Sequence, residues 1–217
     1  MKTLYLDSTT DWIIVQIWEM ESENCIYNFK KSCPREASYR IVIEIQIALN
    51  YCQITKPDCI VVAKGPGSFT GIRLAVATAR NLSQLWKIPC LGLDTLEIYI
   101  DYYRLKYKDK NIAVIIDGKM NKVFVRLVNG SNHSFTQDLS RDELMIQYPY
   151  LSNEDSIVYT NTNLPFHKNV NPLDSDYPDL NGSIKKIKDT IVNEDLESDQ
   201  YNYKNLIPNY MRGTYAD

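Results

Sequence analysis

The apolar positions fall first into short blocks. Leu4-Tyr5-Leu6 is a brief run, Trp12 to Trp18 is rich in β-branched and aromatic residues, and Cys25 to Phe29 alternates. Asp7-Ser8-Thr9-Thr10-Asp11 and Glu21-Ser22-Glu23-Asn24 lie between them. This pattern predicts three strands joined by polar turns. From residue 35 to 52 the period changes. Ile43-Glu44-Ile45-Gln46-Ile47 alternates as a strand would, while Ile41, Ile45, Ala48 and Cys52 recur on one helical face. Its length and the absence of an internal breaker favour a helix. Val42, Ile43, Ile47 and Leu49 lie outside that stripe, so the helix is apolar on two faces and should meet something on both.

Ile60 to Ala63 then reads as a short buried strand, followed by a glycine-rich turn and a helix from about Thr70 to Trp86. Its stripe is Ile72, Ala75, Val76, Ala79, Leu82 and Trp86, and Pro89 ends it. Cys90 to Leu93 is a further short strand. Asp94-Thr95-Leu96-Glu97 has capping-box spacing and should start a helix running to about Tyr107. The polar stretch Lys106 to Asn111 predicts a boundary between units 1–106 and 107–217. After it the opening pattern repeats. Ala113 to Ile116 ends in Asp117, Gly118-Lys119-Met120-Asn121 turns, and Val123 to Val128 returns, as Leu4 to Asp7, a polar turn and Trp12 onward did. A duplicated unit is the expectation. Further on, Ser140-Arg141-Asp142-Glu143 should cap a short helix and Ser156 to Thr160 reads as a strand. Residues 161–182, with Pro165, Pro172 and Pro178, read as loop, and Ser183 to Val192 as a modest helix. The tail 201–217 carries no clear period, and a return to the first unit is open to it.

Composition adds exclusions. A length of 217 residues and 44% hydrophobic content suit a globular chain, and a net charge of −3 argues against a fold held together by nucleic acid. Cys25, Cys33, Cys52, Cys59 and Cys90 are odd in number and lack C-x-x-C spacing, so reduced thiols are expected. The apolar stretch after Lys2 stops at Asp7, too soon for a signal peptide. No long apolar run is present. A cytoplasmic chain without membrane contact is the expectation. The only histidines, His133 and His167, stand far apart, and no zinc-protease motif or Ser/His/Asp arrangement is recognisable, so neither a metal site nor a peptidase is predicted. Tyr102 to Lys110 interleaves tyrosines with cations, as RNA-contacting segments can, although a half-buried helix end has the same composition. Lys185-Lys186-Ile187-Lys188 reads as a solvated helix face.

Three of the eight glycines, Gly65, Gly67 and Gly71, fall within seven residues between a strand and a helix, where backbone N–H groups often cradle phosphate. The spacing fits neither common template. A P-loop needs Lys-Ser/Thr after its last glycine, and here Ile72-Arg73 follows. The dinucleotide fingerprint needs a glycine where Thr70 stands. Gly65, Gly67, Ser68, Thr70 and Gly71 therefore read as a structural loop that permits a tight turn and close helix packing.

As a string, Lys64-Gly65-Pro66-Gly67-Ser68-Phe69-Thr70-Gly71-Ile72-Arg73, continuing Val76-Ala77-Thr78-Ala79-Arg80, resembles the signature of the TsaB family. These are accessory subunits of the bacterial machinery that makes threonylcarbamoyladenosine in tRNA. Leu6-Asp7-Ser8-Thr9-Thr10 resembles the family's opening strand and turn, and Pro208-Asn209-Tyr210-Met211-Arg212 its C-terminal Pro-x-Tyr-Leu-Arg. Gly92 to Glu97 resembles the segment after the signature, with Asp94 where Ser is usual. Asp117-Gly118-Lys119 stands where Asp-Ala-Arg is common. The likeness is strong to about residue 100, thinner over 112–128 and nearly absent over 130–205.

The resemblance implies a two-lobed α/β fold of the actin/hexokinase-like (ribonuclease H-like) superfamily, duplicated, with a degenerate second lobe. It implies no catalytic residues and no metal in this chain. The expected role is a non-catalytic scaffold and activator in a complex that transfers a threonylcarbamoyl group from its adenylate to an adenosine beside the tRNA anticodon. The helix pair would dock on TsaD, with Ile41, Ile45, Ala48, Leu49, Ala75, Ala79, Leu82 and Trp86 as candidate contacts. TsaE would join a ternary complex, tRNA would be met mainly through the complex, and a homodimer could form in isolation. The family's early His-Ser pair is replaced by Ser38-Tyr39, so that histidine's contacts do not carry over. Asp7, Ser8, Thr9, Thr10, Asp117 and Gly118 stand where related folds grip phosphate and are expected to be vestigial. No resident cofactor is expected, and a nucleotide at a complex interface is left open. The alternative is a stand-alone ATP-binding phosphotransferase or ATPase using Asp7 and Asp117.

Overall fold

The computed structural model describes residues 1–34, 36–130, 132–164, 169–196 and 198–211. Its first sheet is built from β1 (Lys2–Asp7), β2 (Trp12–Glu19) and β3 (Asn24–Ser32), an antiparallel meander with register pairs such as Leu4↔Ile17 and Val15↔Phe29. Then α1 (Ala37–Tyr51) crosses over to β4 (Cys59–Ala63), which lies parallel to β1, and α2 (Phe69–Trp86) crosses to β5 (Cys90–Leu93), parallel to β4. The order is β3-β2-β1-β4-β5. β4 is buried along its whole length, as strands inside parallel sheets are, whereas the edge strand β3 has no fully buried residue and carries Lys30 and Lys31.

The second sheet repeats the arrangement after α3 (Thr95–Lys106). β6 (Asn111–Lys119) and β7 (Lys122–Asn129) form a hairpin, and β8 (Asn132–His133) and β9 (Gln137–Ser140) both pair with β7. After α4 (Arg141–Gln147), β10 (Ser156–Thr160) runs parallel to β6, and β11 (Val170–Pro172) parallel to β10. In each sheet the first strand sits between its antiparallel hairpin partner and a parallel strand, β1 between β2 and β4 and β6 between β7 and β10. The second copy is reduced: α4 is one short helix with a complete Ser140–Glu143 capping box, and only residues 161–169 link β10 to β11. Within 161–182, read as loop from sequence, the chain forms β11 and two 3₁₀ turns, Leu173–Asp176 and Leu180–Ser183.

Two compact units result. One comprises Met1–Thr95 with Ile184–Asp217, the other Leu96–Ser183. The break falls at Thr95/Leu96 rather than after residue 106, and the chain returns to the first unit at α5 (Ile184–Asn193). Part of the cause is that α3 contributes Tyr99 and Tyr103 to the second unit. Tyr103 stacks on Tyr159 with ring centroids 3.6 Å apart, and the Tyr99 and Tyr177 hydroxyls meet at 2.6 Å.

The first core gathers Leu4, Leu6, Val15, Ile17, Ile60 and Val62 under Ile41, Ile45, Ile72 and Val76, and the second gathers Ala113, Ile115, Val125, Leu127, Leu144 and Val158. Each fully buried valine, leucine or isoleucine among them stabilises the fold by about 1.5–3 kcal/mol. Cys59 and Cys90 lie inside the first unit as free thiols. Burial, with Asp58 nearby, pushes the Cys59 thiol up to about 12, and burial beside Cys59 raises Cys90 as well. The thiolate is the reactive form. At pH 8 a thiol reagent should therefore label half-buried Cys25 in the folded chain while Cys59 and Cys90 stay unlabelled until denaturant is added. Mass spectrometry reads this directly, and labelling of Cys59 at the rate of Cys25 would contradict the packing.

Candidate functional site

The loop between β4 and α2 is packed on three sides. Beneath it lies the β1–β2 turn: Ser68 N–H donates to Thr9 O at 2.6 Å, and Ser8 Oγ donates to Gly71 O at 2.8 Å. A Cβ on Gly67 would sit 2.2 Å from Thr9 O, and one on Gly71 only 1.8 Å from Ser8 O, so neither position has room for a side chain. At the side, Gly65 N–H donates to Thr95 Oγ1 at 3.1 Å, and Thr95 N–H returns to Gly65 O at 2.9 Å. Above, a Cβ on Gly65 would meet Asn209 O at 2.2 Å, and Gly65 has a φ of +106° that favours glycine. Ser68 caps α2 by accepting from Gly71 N–H, and Thr70 is exposed on the first turn. The donors of Gly65, Ser68 and Gly71, which a phosphate would need, are thus already engaged inside the protein.

The residues expected to be vestigial phosphate contacts are placed by the same packing. Asp7, Ser8 and Thr9 are fully buried, and Thr10 is half-buried. Asp7 Oδ1 accepts from Thr9 N–H and Thr9 Oγ1, both at 2.7 Å, and Oδ2 accepts from Tyr5 OH at 3.3 Å. Oδ1 therefore closes the turn, while Oδ2 is tied to Tyr5 on β1. In the second unit Asp117 is held differently. Its carboxylate accepts from the Lys119 backbone at 3.1 Å and the Lys119 ammonium at 2.5 Å, with Arg141 Nη2 at 3.9 Å. Partial burial pushes this carboxyl up, but those hydrogen bonds and cations outweigh it and hold it below the usual carboxylate range. Gly118 is buried, while Lys119, Met120 and Asn121 carry the turn in left-handed backbone.

The helix pair divides the candidate contacts. Ile41, Ala48, Ala75 and Ala79 are wholly inaccessible and Ile45 nearly so, while Leu49, Leu82 and Trp86 are half-buried against the same core. A side chain enclosed in its own core cannot touch a partner, so these first five lie under the surface rather than on it. What α1 presents instead is a second apolar row. Tyr39, Ile43, Ile47 and Tyr51, each four residues after the last, are 53, 41, 44 and 69% exposed, with Val42 beside them. This spacing is one ridge of a helix surface. Periodicity places Val42, Ile43, Ile47 and Leu49 outside the first stripe, and of the four Leu49 packs half-buried on the core. The spacing alone does not say which face turns inward. Glu44 decides it. Buried with the core stripe, it accepts from Tyr27 OH at 2.9 Å and pairs with Arg40 at 2.7 Å, and burial together with that bond pushes the Tyr27 phenol up to about 12. On α2, Phe69 and Leu85 are the large exposed apolar side chains.

The remaining candidates are dispersed. His133 lies exposed on β8 against Arg104, and burial plus the nearby arginines hold its imidazole below the usual range. His167, like Arg212, lies outside the described residues. Among the described residues no three His, Cys, Asp or Glu side chains are grouped so as to hold a metal ion. Several cations and tyrosines of 102–110 are engaged within their unit: Tyr102 OH donates to Asp176 at 3.0 Å, Lys106 pairs with Asp176, and Lys110 reaches Asp155 at 3.0 Å. Lys188 on α5 donates to Glu23 at 2.9 Å. Among the described residues no helix is long and apolar enough to cross a membrane.

Two sheets with corresponding strand orders, each opening on a hairpin and closing on parallel strands, define a duplicated α/β fold. The model of the family described as TsaD, tRNA N6-adenosine threonylcarbamoyltransferase, matches residues 31–145, more than half of the chain, and the chain belongs to that family. Among curated relatives, the tRNA threonylcarbamoyladenosine biosynthesis protein TsaB of Buchnera aphidicola subsp. Schizaphis graminum is 35% identical over 123 residues, covering 56% of this chain and 57% of its own. TsaB of Escherichia coli K12 is 27% identical over 126 residues, covering 57% and 53%. The match thus spans about half the length of these relatives. A solved structure from Pseudomonas aeruginosa, described as an uncharacterized protein with similarity to peptidase YEAZ, shares the fold. It superposes with a TM-score of 0.78 at 17% identity, over 97% of this chain and 99% of that one.

Proposed function

We propose that the chain is a non-catalytic scaffold and activating subunit in tRNA threonylcarbamoyladenosine biosynthesis, the process named for its TsaB relatives. It binds TsaD through the outer face of α1 and its border with α2, and it helps recruit TsaE, while tRNA meets the assembly rather than this chain alone. The observation that carries the reading is the bare apolar ridge Tyr39-Ile43-Ile47-Tyr51. A row of large apolar side chains on one helix is what helix-to-helix docking uses, and an exposed contiguous apolar patch marks an interaction surface. The closed packing around Asp7 and the glycine loop supports the non-catalytic part, because it leaves the first unit's turn without free phosphate donors at Gly65, Ser68 and Gly71. In the absence of TsaD, the same ridge is available to a second copy.

The test is association. The purified chain mixed with TsaD at micromolar concentration should co-elute on gel filtration, and separate elution of the two would overturn the proposal. Titration of magnesium–ATP into the isolated chain should release no binding heat. Tight binding there would instead favour the ATP-binding enzyme.

A further inference from the structure

The third wall of the glycine loop is the carboxy-terminal segment, and its contacts are specific. Leu206 is buried in the first core, where a Cβ on Gly92 would approach its Cδ1 to 2.4 Å. Asn209 N–H donates to Lys64 O at 2.7 Å, and Asn209 O lies where a Gly65 side chain would be. Asn209 Oδ1 also accepts from Met211 N–H at 3.1 Å, which closes a turn on the segment itself. Tyr210 reaches α2: its ring packs on Phe69 with centroids 4.9 Å apart, and its hydroxyl accepts from Arg73 Nε at 3.2 Å. Arg73 lies over the Phe69 ring at 4.0 Å. Phe69 and Arg73 are one helical turn apart, so Tyr210 grips the first turn of α2 at two successive levels.

We propose that Leu206–Met211 is a strap that seats the glycine loop and the first turn of α2, and that Leu206, Asn209 and Tyr210 are positioning residues for partner docking by the helix pair. This rests on the docking reading above. The physical reason is entropic. Residues 64–68 lie between β4 and α2, in neither ladder nor helix, and include two glycines, which lose more backbone freedom on ordering than any other residue. Neighbours on several sides are needed to hold such a loop in one conformation, and α2 starts from it. Removing the strap opens one side. The loop relaxes, α2 loses the anchor of its first turn, and the helix pair no longer presents a single surface.

Hydrogen exchange and association distinguish the two layers of the argument. Three variants serve: Tyr210→Ala, a chain ending at Pro208, and Gly65→Ala, which forces the strap away from the loop side. In each, amides of residues 64–73 should exchange at least about tenfold faster, while those of β1 and β2 keep their protection. Binding to TsaD should weaken by at least about tenfold. If the shortened chain does not fold, Tyr210→Ala alone decides. Unchanged exchange over 64–73, or a rise shared equally by β1, overturns the strap. Local loosening with undiminished TsaD binding overturns its role in docking. If the unaltered chain fails to bind TsaD, the proposed function falls, while the exchange measurement still judges the strap.

Discussion

Gly71→Ala should lower the stability of the chain by about 2–3 kcal/mol, although alanine is the better helix former. Gly71 sits in the first turn of α2, and on propensity alone the substitution would stabilise by about 1 kcal/mol. Packing reverses the sign. The new Cβ would lie 1.8 Å from Ser8 O and 2.9 Å from Ser8 C, which are backbone atoms of a buried turn and cannot swing aside as a side-chain end could. Either α2 or the β1–β2 turn must move, with loss of the Ser8 Oγ to Gly71 O hydrogen bond, and forced expansion of this kind costs about 1–3 kcal/mol or more. Thermal unfolding should show a drop of roughly 5–10 °C for a chain of this size. Gly130→Ala is the control. Nothing lies within 4 Å of its added Cβ, so only the left-handed backbone, φ +59°, resists it, at a cost of about 1–2 kcal/mol. A Gly71→Ala chain that melts at the original temperature would mean that the loop does not sit against the turn.

That contrast explains which parts of the molecule were legible in the amino-acid order. Three glycines within seven residues announced a tight approach, and failure to match either phosphate template pointed to packing rather than a ligand. The partners of those glycines were not readable, because Thr9, Ser8 and Asn209 meet them through backbone carbonyls, which leave no trace in side-chain periodicity. The strands of the first sheet were readable from their apolar blocks. In the second unit β9 has one apolar residue, Leu139, and owes its existence to the ladder with β7, so no local pattern marked it. Helix α1 was readable as two-faced, but Ile41-Ile45-Ala48 and Tyr39-Ile43-Ile47-Tyr51 are equally apolar. The buried Glu44 breaks the tie through its tertiary hydrogen bond from Tyr27, with Arg40 one turn back on the same helix, and it does so against the usual rule that carboxylates face water. The small residues Ala75 and Ala79 look suited to close helix approach, but they lie buried within the chain's own core.

Ile47→Glu and Ile43→Glu should therefore abolish association with TsaD while leaving the isolated chain folded. Both side chains are more than two-fifths exposed, so a carboxylate there stays solvated in the free protein, and surface replacements of this kind change stability by about 0.5 kcal/mol or less. In a complex docked through this ridge the same carboxylate would be buried against the apolar row it interrupts. Truncating a central apolar contact costs about 2 kcal/mol or more, and burying an unpaired charge adds to that, so an affinity loss of about a hundredfold or greater is expected. Calorimetry against TsaD gives the affinity, and circular dichroism of each variant checks the fold. Ala79→Arg separates a surface effect from a core one. Ala79 has no exposed area, so its replacement should prevent binding only by disrupting the first unit, with lost secondary structure and a lowered melting temperature. Normal TsaD affinity in Ile47→Glu and Ile43→Glu would move the docking surface away from α1. A well-folded Ala79→Arg chain that has lost binding would restore the inner stripe as the contact, since the helix would then have to turn its other face outward.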